Sequence, residues 1–148
     1  MGENTKIEWA QHERSRIQGW SFVIDIQITP IPKPRMTQRD KWGKRMVVMR
    51  YRLFCDELRL KAGSFCLPDM GWHVVFIMPM PQSWSKKKRA SMRGQWHQQK
   101  PDLDNLVKAL CDAFRKDDST ICHFSAAKLW GDSGRIRITH SVPSGFEF

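Results

Sequence analysis

The chain has 148 residues, of which 25 are Lys or Arg and 15 are Asp or Glu, so its net charge at pH 7 is +10. This length fits a single domain. The sequence has no apolar run of the ~20 residues that span a bilayer and no hydrophobic region typical of a secretory signal. We therefore expect a soluble, cytoplasmic protein without a membrane partner that binds a polyanion such as nucleic acid.

The first half of the chain contains three predicted segments. Residues 1–19 are polar without clear periodicity, which predicts a flexible N-terminal arm ahead of a domain at residues 20–148. Alternation of apolar and polar side chains predicts a strand at 21–28, which Pro30 ends. A helical pattern follows at 47–62 and ends at Gly63.

The second half of the sequence predicts one strand, two helices and two further strands. An apolar run predicts a strand at 71–79, and a basic helix follows between a Ser83 or Ser85 cap and Gly94. A further helix runs from Asp102 or Asp104 to about Arg115. Two strands then flank the sequence GDSG, which is typical of a hairpin turn. The order β-α-β-α-α-β-β predicts a single compact α+β domain, with a mixed β-sheet packed with about three helices.

Two segments concentrate the positive charge. Residues 33–52 contain eight Lys or Arg against one acidic residue, and residues 83–100 contain six and no acid, with Trp84 and Trp96 between them. Cations neutralise DNA phosphates and aromatic faces stack on unpaired bases, whereas a solvated helix face with core tryptophans is the alternative. The candidate DNA-binding residues are Lys33, Arg35, Arg39, Lys41, Lys44, Arg45, Lys86, Lys87, Lys88, Arg89, Arg93 and Lys100.

Five of the 15 acidic residues fall within the 17 positions 102–118. Asp102 and Asp104 lie at the predicted helix start, Lys108 follows four residues after Asp104, and Asp118 comes before the next strand. Three carboxylates and one lysine can hold Mg²⁺ against a phosphate and stabilise negative charge on it. The alternative is a helix cap, an exposed ion pair and an ordinary turn.

The stretch KPDLDNLVKALCDAF, followed by KDDSTI, resembles the RusA family of Holliday junction resolvases, metal-dependent endonucleases of bacteria and prophages. The matching residues are Lys100, Asp102, Asp104, Asn105, Lys108, Asp112, Ala113, Asp117, Asp118 and Ile121. PIPKPR after the first strand, PQSWSKKKR before the motif, and Lys128 are also similar to the family. The resemblance extends over residues 21 to about 140.

The resemblance implies a structure-specific DNA endonuclease that resolves four-way junctions, in DNA recombination and repair, by paired metal-dependent phosphodiester hydrolysis. It implies a homodimer acting on branched DNA with Mg²⁺, or with Mn²⁺ in its place, and no small-molecule cofactor. Asp102, Asp104 and Asp118 correspond to the metal-binding carboxylates and Lys108 to the catalytic lysine. Because the connection after the helix is short, Asp117 is an alternate to Asp118.

Two other functions remain compatible with the sequence: a catalytically silent DNA-binding or regulatory protein, and a flap or fork nuclease with the same chemistry. The placement of Asp118 is also open. A helix of ~11 residues is about 16 Å long, and the residues after Arg115 cover at most ~14 Å. Asp118 therefore reaches Asp102 either by folding back or from a partner subunit.

Overall fold

The computed structural model describes residues 6–10, 21–115 and 117–141 of the chain. It confirms an α+β domain with a mixed sheet and three α-helices. The strands are β1 (Lys6–Ala10), β2 (Ser21–Ile26), β3 (Trp72–Pro79), β4 (Phe124–Gly131) and β5 (Arg135–His140). The helices are α1 (Met46–Ala62), α2 (Lys86–Met92) and α3 (Leu103–Phe114), with a 3-10 turn at Gln38–Lys41 before α1.

The sheet order is β1-β2-β5-β3-β4, in which β3 and β4 are parallel and the other neighbours are antiparallel. The parallel pair needs a long crossover, and the chain between β3 and β4 supplies it with α2 and α3. Alternate residues of β3 are buried from Trp72 to Met78. They form one core with α1 residues such as Leu58 and α3 residues such as Leu106 and Leu110.

The predicted hairpin at residues 131–134 is wrong, because β4 and β5 lie on opposite sides of β3. The chain passes over the end of β3, where the amide of Met80 donates to the carbonyl of Gly131 at 2.9 Å. A Cβ at Gly134 would lie 2.4 Å from the Cα of Thr29, so this close approach requires glycine. A turn sequence such as GDSG indicates the local backbone conformation, but it does not indicate whether another strand lies between the two strands that it connects.

The predicted N-terminal arm differs from the structure at residues 6–10, which form β1 and pair with β2 from Lys6↔Asp25 to Ala10↔Ser21. This pairing joins segments that are distant in sequence, which local periodicity does not report. Residues 1–5 and 11–19 of that prediction lie outside the described residues. In the part of the chain that is described, no helix is long and apolar enough to cross a membrane.

Candidate active site and nucleic-acid interface

The motif aspartates lie at the N-terminal end of α3. Asp102 is the N-cap residue, and its carboxylate makes no capping hydrogen bond, while its carbonyl accepts from the amide of Leu106 at 3.2 Å. Asp104 lies in the first turn of the helix. Both side chains are exposed, because the apolar face of α3 is turned into the core by residues such as Leu106 and Leu110. The helix thus presents two carboxylates to solvent at its positive end.

The loop that leads into Asp102 is held by β4. Lys128 donates from Nζ to the carbonyls of Gln99 and Pro101, each at 2.6 Å. The amide of His97 donates to the carbonyl of Lys128 at 3.0 Å, so the same strand also holds the loop through its backbone. His97 is buried, and burial lowers the pKa of its imidazole, with the charge of Lys128 acting in the same direction. These contacts fix where the chain enters α3.

The segment after β2 forms the other side of the site. The amide of Lys33 donates to the carbonyl of Asn105 at 3.0 Å, which attaches this segment to the first turn of α3. A cavity of about 500 Å³ opens between the two. Its lining residues are Pro30, Pro32, Lys33, Met78, Lys100, Pro101, Asp102 and Asn105. Asp102 therefore lies in a concave site with an apolar floor and two lysines.

Lys108 lies one turn along α3 from Asp104, and its Nζ donates to Asp104 Oδ2 at 3.2 Å. Both side chains are exposed, so solvent screens the pair and it adds little to stability. The i,i+4 spacing predicted from the sequence therefore places the ammonium group beside the motif carboxylates.

Asp117 and Asp118 lie beyond the opposite end of α3. Asp117 Oδ1 accepts from the amide of Ser119 at 2.9 Å, and hydrogen bonding by the Ser119 side chain and then by this amide lowers the pKa of the Asp117 carboxyl. Burial, with the charge of Asp118 as the next cause, raises the pKa of the Cys111 thiol to about 11. The 12 residues of α3 span about 18 Å, and Asp102 precedes this helix whereas Asp117 and Asp118 follow it.

Within residues 6–10, 21–115 and 117–141, no three His, Cys, Asp or Glu side chains are grouped so that they could hold a metal ion. The predicted set of Asp102, Asp104 and Asp118 is therefore not assembled by one chain in this structure. The first two still fit Mg²⁺, an ion that is commonly held by one or two carboxylates together with substrate phosphates and water. The described chain supplies the two-carboxylate part of such a site.

Asp112, a motif residue without a predicted role, is structural. Its Oδ2 accepts from the hydroxyl of Tyr51 at 2.5 Å and forms an ion pair with Lys33 Nζ at 2.8 Å. Burial raises the pKa of Tyr51, and the hydrogen bond to Asp112 adds to this effect. Asp112 thus joins α1, α3 and the segment after β2. Lys33 was predicted to bind DNA, but its ammonium group forms the ion pair with Asp112.

The predicted basic residues of α2 divide into two groups. Lys86 and Lys87 are exposed in the first turn, where the helix dipole disfavours cations, so helix stability does not account for them. Arg93 donates to both carboxylate oxygens of Asp132 at 2.8 Å, and Arg89 lies 3.9 Å from the same carboxylate.

Trp84 and Trp96, the two tryptophans near α2, differ in exposure, and the lysines beside them differ in their contacts. The Nζ of Lys88 lies 4.3 Å from the centroid of the Trp84 ring, which packs on Trp130 at 4.8 Å between ring centroids. Trp84 is thus a packing residue. Trp96 is exposed in the loop before α3, as is Lys100.

The predicted basic residues before α1 divide in the same way. Arg45 donates to both carboxylate oxygens of Asp40 at 2.7 Å, so its guanidinium has a structural partner. Four others are exposed: Arg35, Arg39, Lys41 and Lys44. Trp42 was not among the predicted DNA-binding residues, and its side chain is 89% exposed in this loop. The signal was an aromatic residue between lysines and directly before a glycine, in a segment predicted to be a loop.

A comparison with known protein families matches residues 25–140 to the endodeoxyribonuclease RusA family. The match includes the whole motif and every strand and helix from β3 to β5. A comparison with curated proteins gave no match. The matched region covers most of the chain, so the protein belongs to the RusA family of Holliday junction resolving endodeoxyribonucleases.

Proposed function

We propose that this Holliday junction endonuclease is Mg²⁺-dependent, that Asp102, Asp104 and Lys108 carry its chemistry, and that it acts as a homodimer. One observation carries the assignment of the residues: an exposed pair of carboxylates and a lysine at the open end of α3, beside a cavity lined by further lysines. DNA phosphate is the ligand whose charge suits this surface.

Each residue has a distinct role in the proposed reaction. Asp102 and Asp104 hold the metal, because neither carboxylate is used by the fold as a helix cap or a core partner. Lys108 stabilises the negative charge that develops on the scissile phosphate, and exposure leaves its ammonium group free to move from Asp104 to the substrate. When bound, Mg²⁺ supplies Lewis-acid stabilisation of the phosphate oxygens. Lys128 is a positioning residue that acts through the loop.

The exposed cations before α1 and at the start of α2 hold the DNA arms by phosphate contact. They lie on the two segments that flank the site in sequence, one after β2 and one before α3. Contacts of this kind fix the position of the duplex and carry no sequence information. Arg45, Arg89 and Arg93 contribute less, because acidic side chains of the same chain already neutralise them.

A homodimer is supported by an exposed apolar stripe on α1. Met46, Leu53 and Leu60 are spaced by seven residues, which is about two helical turns, and are 64%, 65% and 83% exposed. The opposite face of the same helix is buried in the core through residues such as Tyr51 and Leu58. Exposed apolar side chains repeated at this spacing, opposite a buried face, are typical of a helix that packs on a partner.

The stripe is self-complementary about Leu53. If two α1 helices pack antiparallel with a two-fold axis at Leu53, Met46 meets Leu60 of the partner subunit and Arg50 meets Asp56 of the partner subunit. Arg50 and Asp56 stand three residues on either side of Leu53, so opposite charges coincide twice in each dimer. This is the residue-to-residue reciprocity that a two-fold interface requires. A two-fold dimer carries two sites, one for each nick in a symmetric junction.

We further propose that Asp118 completes the site of the partner subunit. In its own chain the charge of Asp118 acts on Cys111, in the last turn of α3, and among the described residues Asp118 is not grouped with Asp102 and Asp104. Two sites that share residues across a two-fold axis would become active only in the dimer. This arrangement would prevent a lone subunit from making a single nick.

The experiment that tests the proposal uses a labelled synthetic four-way junction with Mg²⁺ or with EDTA. We expect paired nicks with Mg²⁺ and binding without cleavage in EDTA. Cleavage in EDTA would overturn the metal dependence. Binding without cleavage under both conditions would mean a silent DNA-binding protein, and faster cleavage of a flap or fork would change the assigned substrate.

A further inference from the structure

The loop between Lys33 and α1 is held in one conformation by a buried carboxylate. Asp40 is buried, and one of its carboxylate oxygens accepts from the amide and the hydroxyl of Thr37 at 2.6 and 2.9 Å. Both of its oxygens accept from Arg45 at 2.7 Å, and its carbonyl accepts from Arg52 of α1 at 2.9 Å. Asp40, the only acidic residue of the loop, is thus engaged by the fold, and the contact with Arg52 attaches the loop to α1.

This conformation leaves Trp42 at the surface. Its amide donates to the carbonyl of Arg39 at 3.1 Å, and the amide of Gly43 donates to the same carbonyl at 2.7 Å, so the backbone turns sharply at this point. The side chain is 89% exposed, the largest value among the exposed large apolar side chains of the described residues. Neither the core nor the turn uses the indole ring.

The surface around Trp42 is cationic. Arg39, Lys41 and Lys44 are exposed, whereas the one nearby acid, Asp40, is buried and paired with Arg45. The loop therefore presents an aromatic face between positive charges and no exposed carboxylate. Such a surface suits DNA, since phosphates bind the cations and an unstacked base packs on the ring.

The loop is also joined to the active site. It continues directly from the segment of Pro32 and Lys33, which lines the cavity beside Asp102 and donates to the carbonyl of Asn105 in α3. DNA that reaches the carboxylates therefore lies close to the start of this loop. A linear duplex offers no free base face there, whereas the branch point of a junction interrupts stacking.

We infer that Trp42 is a base-stacking site that recognises the branch point: the indole ring packs on a base that has lost a stacking neighbour, and Arg39, Lys41 and Lys44 hold the adjoining phosphates. The inference rests on branched DNA being the substrate. It assigns the preference for a branch to Trp42 and leaves phosphodiester cleavage to the residues of α3.

The test measures binding in EDTA, so that cleavage plays no part. Junctions with 2-aminopurine at the branch point, and linear duplexes with the same base, are titrated with the wild-type protein and with Trp42→Ala, Trp42→Phe and Lys41→Ala. Stacking on a base reports as a change in 2-aminopurine fluorescence. Because alanine substitution of a stacking aromatic costs about 1–3 kcal/mol per base, Trp42→Ala should weaken junction binding by about 5- to 160-fold. Its duplex affinity should stay within about two-fold.

Trp42→Phe should retain most of the junction preference, because it keeps an aromatic face. Lys41→Ala should weaken junction and duplex alike, since it removes a phosphate contact. The inference is overturned if Trp42→Ala keeps the wild-type ratio of junction to duplex affinity and the fluorescence change, or if it converts a dimer into monomers and thus marks a protein contact. A wild-type protein without junction preference would overturn the assigned substrate instead.

Discussion

At the scale of single residues, the carboxylates at the start of α3 are exposed, whereas a carboxylate near its end makes contacts within the fold. Asp102 is exposed and caps no amide, and Asp104 makes only an exposed ion pair with Lys108, whereas Asp112 on the same helix bonds Tyr51 and Lys33. The difference follows from position, because the first turn of α3 lies at the surface and its last turn packs on α1. A carboxylate that stabilises nothing in the folded chain is available to a ligand.

Asp102→Asn and Asp104→Asn should each lower the single-turnover rate of junction cleavage by at least ~100-fold. Each change removes a metal-binding charge without adding bulk, so junction affinity should be retained or increased. Gel-shift titration and a cleavage time course measure the two effects. Glu57→Gln is the matched control, since it removes an exposed carboxylate of α1 that pairs only with Lys61 among the contacts of the described residues. Wild-type cleavage by either aspartate variant would refute the site.

Lys108→Ala separates catalysis from an ordinary ion pair. The exposed contact with Asp104 adds little to stability, so the melting temperature should change by only a degree or two. Loss of a charge aimed at the transition state should lower single-turnover cleavage by about 100-fold or more, with junction affinity within a few-fold. Lys108→Arg should restore only part of the rate, because guanidinium is larger and planar. Normal nicking by Lys108→Ala would remove the lysine from the mechanism.

At the scale of elements, β4 and α3 position the site together. The crossover between β3 and β4 brings Lys128 beneath the loop that enters α3, where it donates to two carbonyls next to Asp102. In the proposed function this lysine acts through the loop. It holds the backbone from which Asp102, one of the two carboxylates proposed to bind the metal, extends.

Lys128→Met should therefore raise the Mg²⁺ concentration that gives half-maximal cleavage and lower the rate by about 10-fold or more, the usual effect of removing a supporting contact. Junction affinity in EDTA should remain unchanged. Lys128→Arg, which keeps a cationic donor, should restore part of the Mg²⁺ dependence. A variant that melts at lower temperature but has the wild-type Mg²⁺ dependence would show that Lys128 stabilises the fold without positioning Asp102.

At the scale of the whole molecule, two features of the single chain favour its assembly with a second copy. The outer face of α1 carries exposed apolar side chains, and Asp118 follows the end of α3 opposite to Asp102 and Asp104. The proposed homodimer accounts for both: it covers the exposed apolar side chains of α1, and it lets Asp118 of one subunit complete the site of the other. They are tested separately, because the first concerns assembly and the second concerns the site.

Leu53→Glu should convert the dimer into monomers, because two carboxylates would meet at the proposed two-fold axis. Sedimentation velocity measures the change, and Met70→Glu, at another exposed apolar position, is the control. Arg50→Glu alone should weaken the dimer, and Arg50→Glu combined with Asp56→Arg should restore it, since the swap recreates both pairs. A dimer that survives Leu53→Glu would place the interface elsewhere.

Mixed dimers test where Asp118 acts. Asp102→Asn and Asp118→Asn homodimers should both be inactive. If Asp118 serves the partner subunit, a heterodimer of the two variants contains one intact site and should nick one strand of a junction. If Asp118 serves its own chain, both sites of the heterodimer lack a ligand and it should be inactive. Co-expression with two different tags provides the heterodimer.

The sequence by itself determined the elements that depend on neighbouring residues. Alternation in β2, the apolar run of β3, the cap of α2 at Ser85 and the start of α3 at Asp102 or Asp104 all appear in the structure where they were predicted. The relation between Asp104 and Lys108 was also predictable, because a helix fixes which residues four apart are neighbours. These features follow from backbone geometry over one or two turns.

Only the tertiary structure decided what depends on distant partners. It put β3 between β4 and β5, gave β1 a place beside β2, and separated Asp118 from Asp102 along α3. It also paired four predicted DNA-binding cations with carboxylates of the same chain and left Trp42 uncovered; the four are Lys33, Arg45, Arg89 and Arg93. Charge and hydrophobicity are local properties of a sequence, whereas pairing and exposure depend on which surfaces the fold brings into contact.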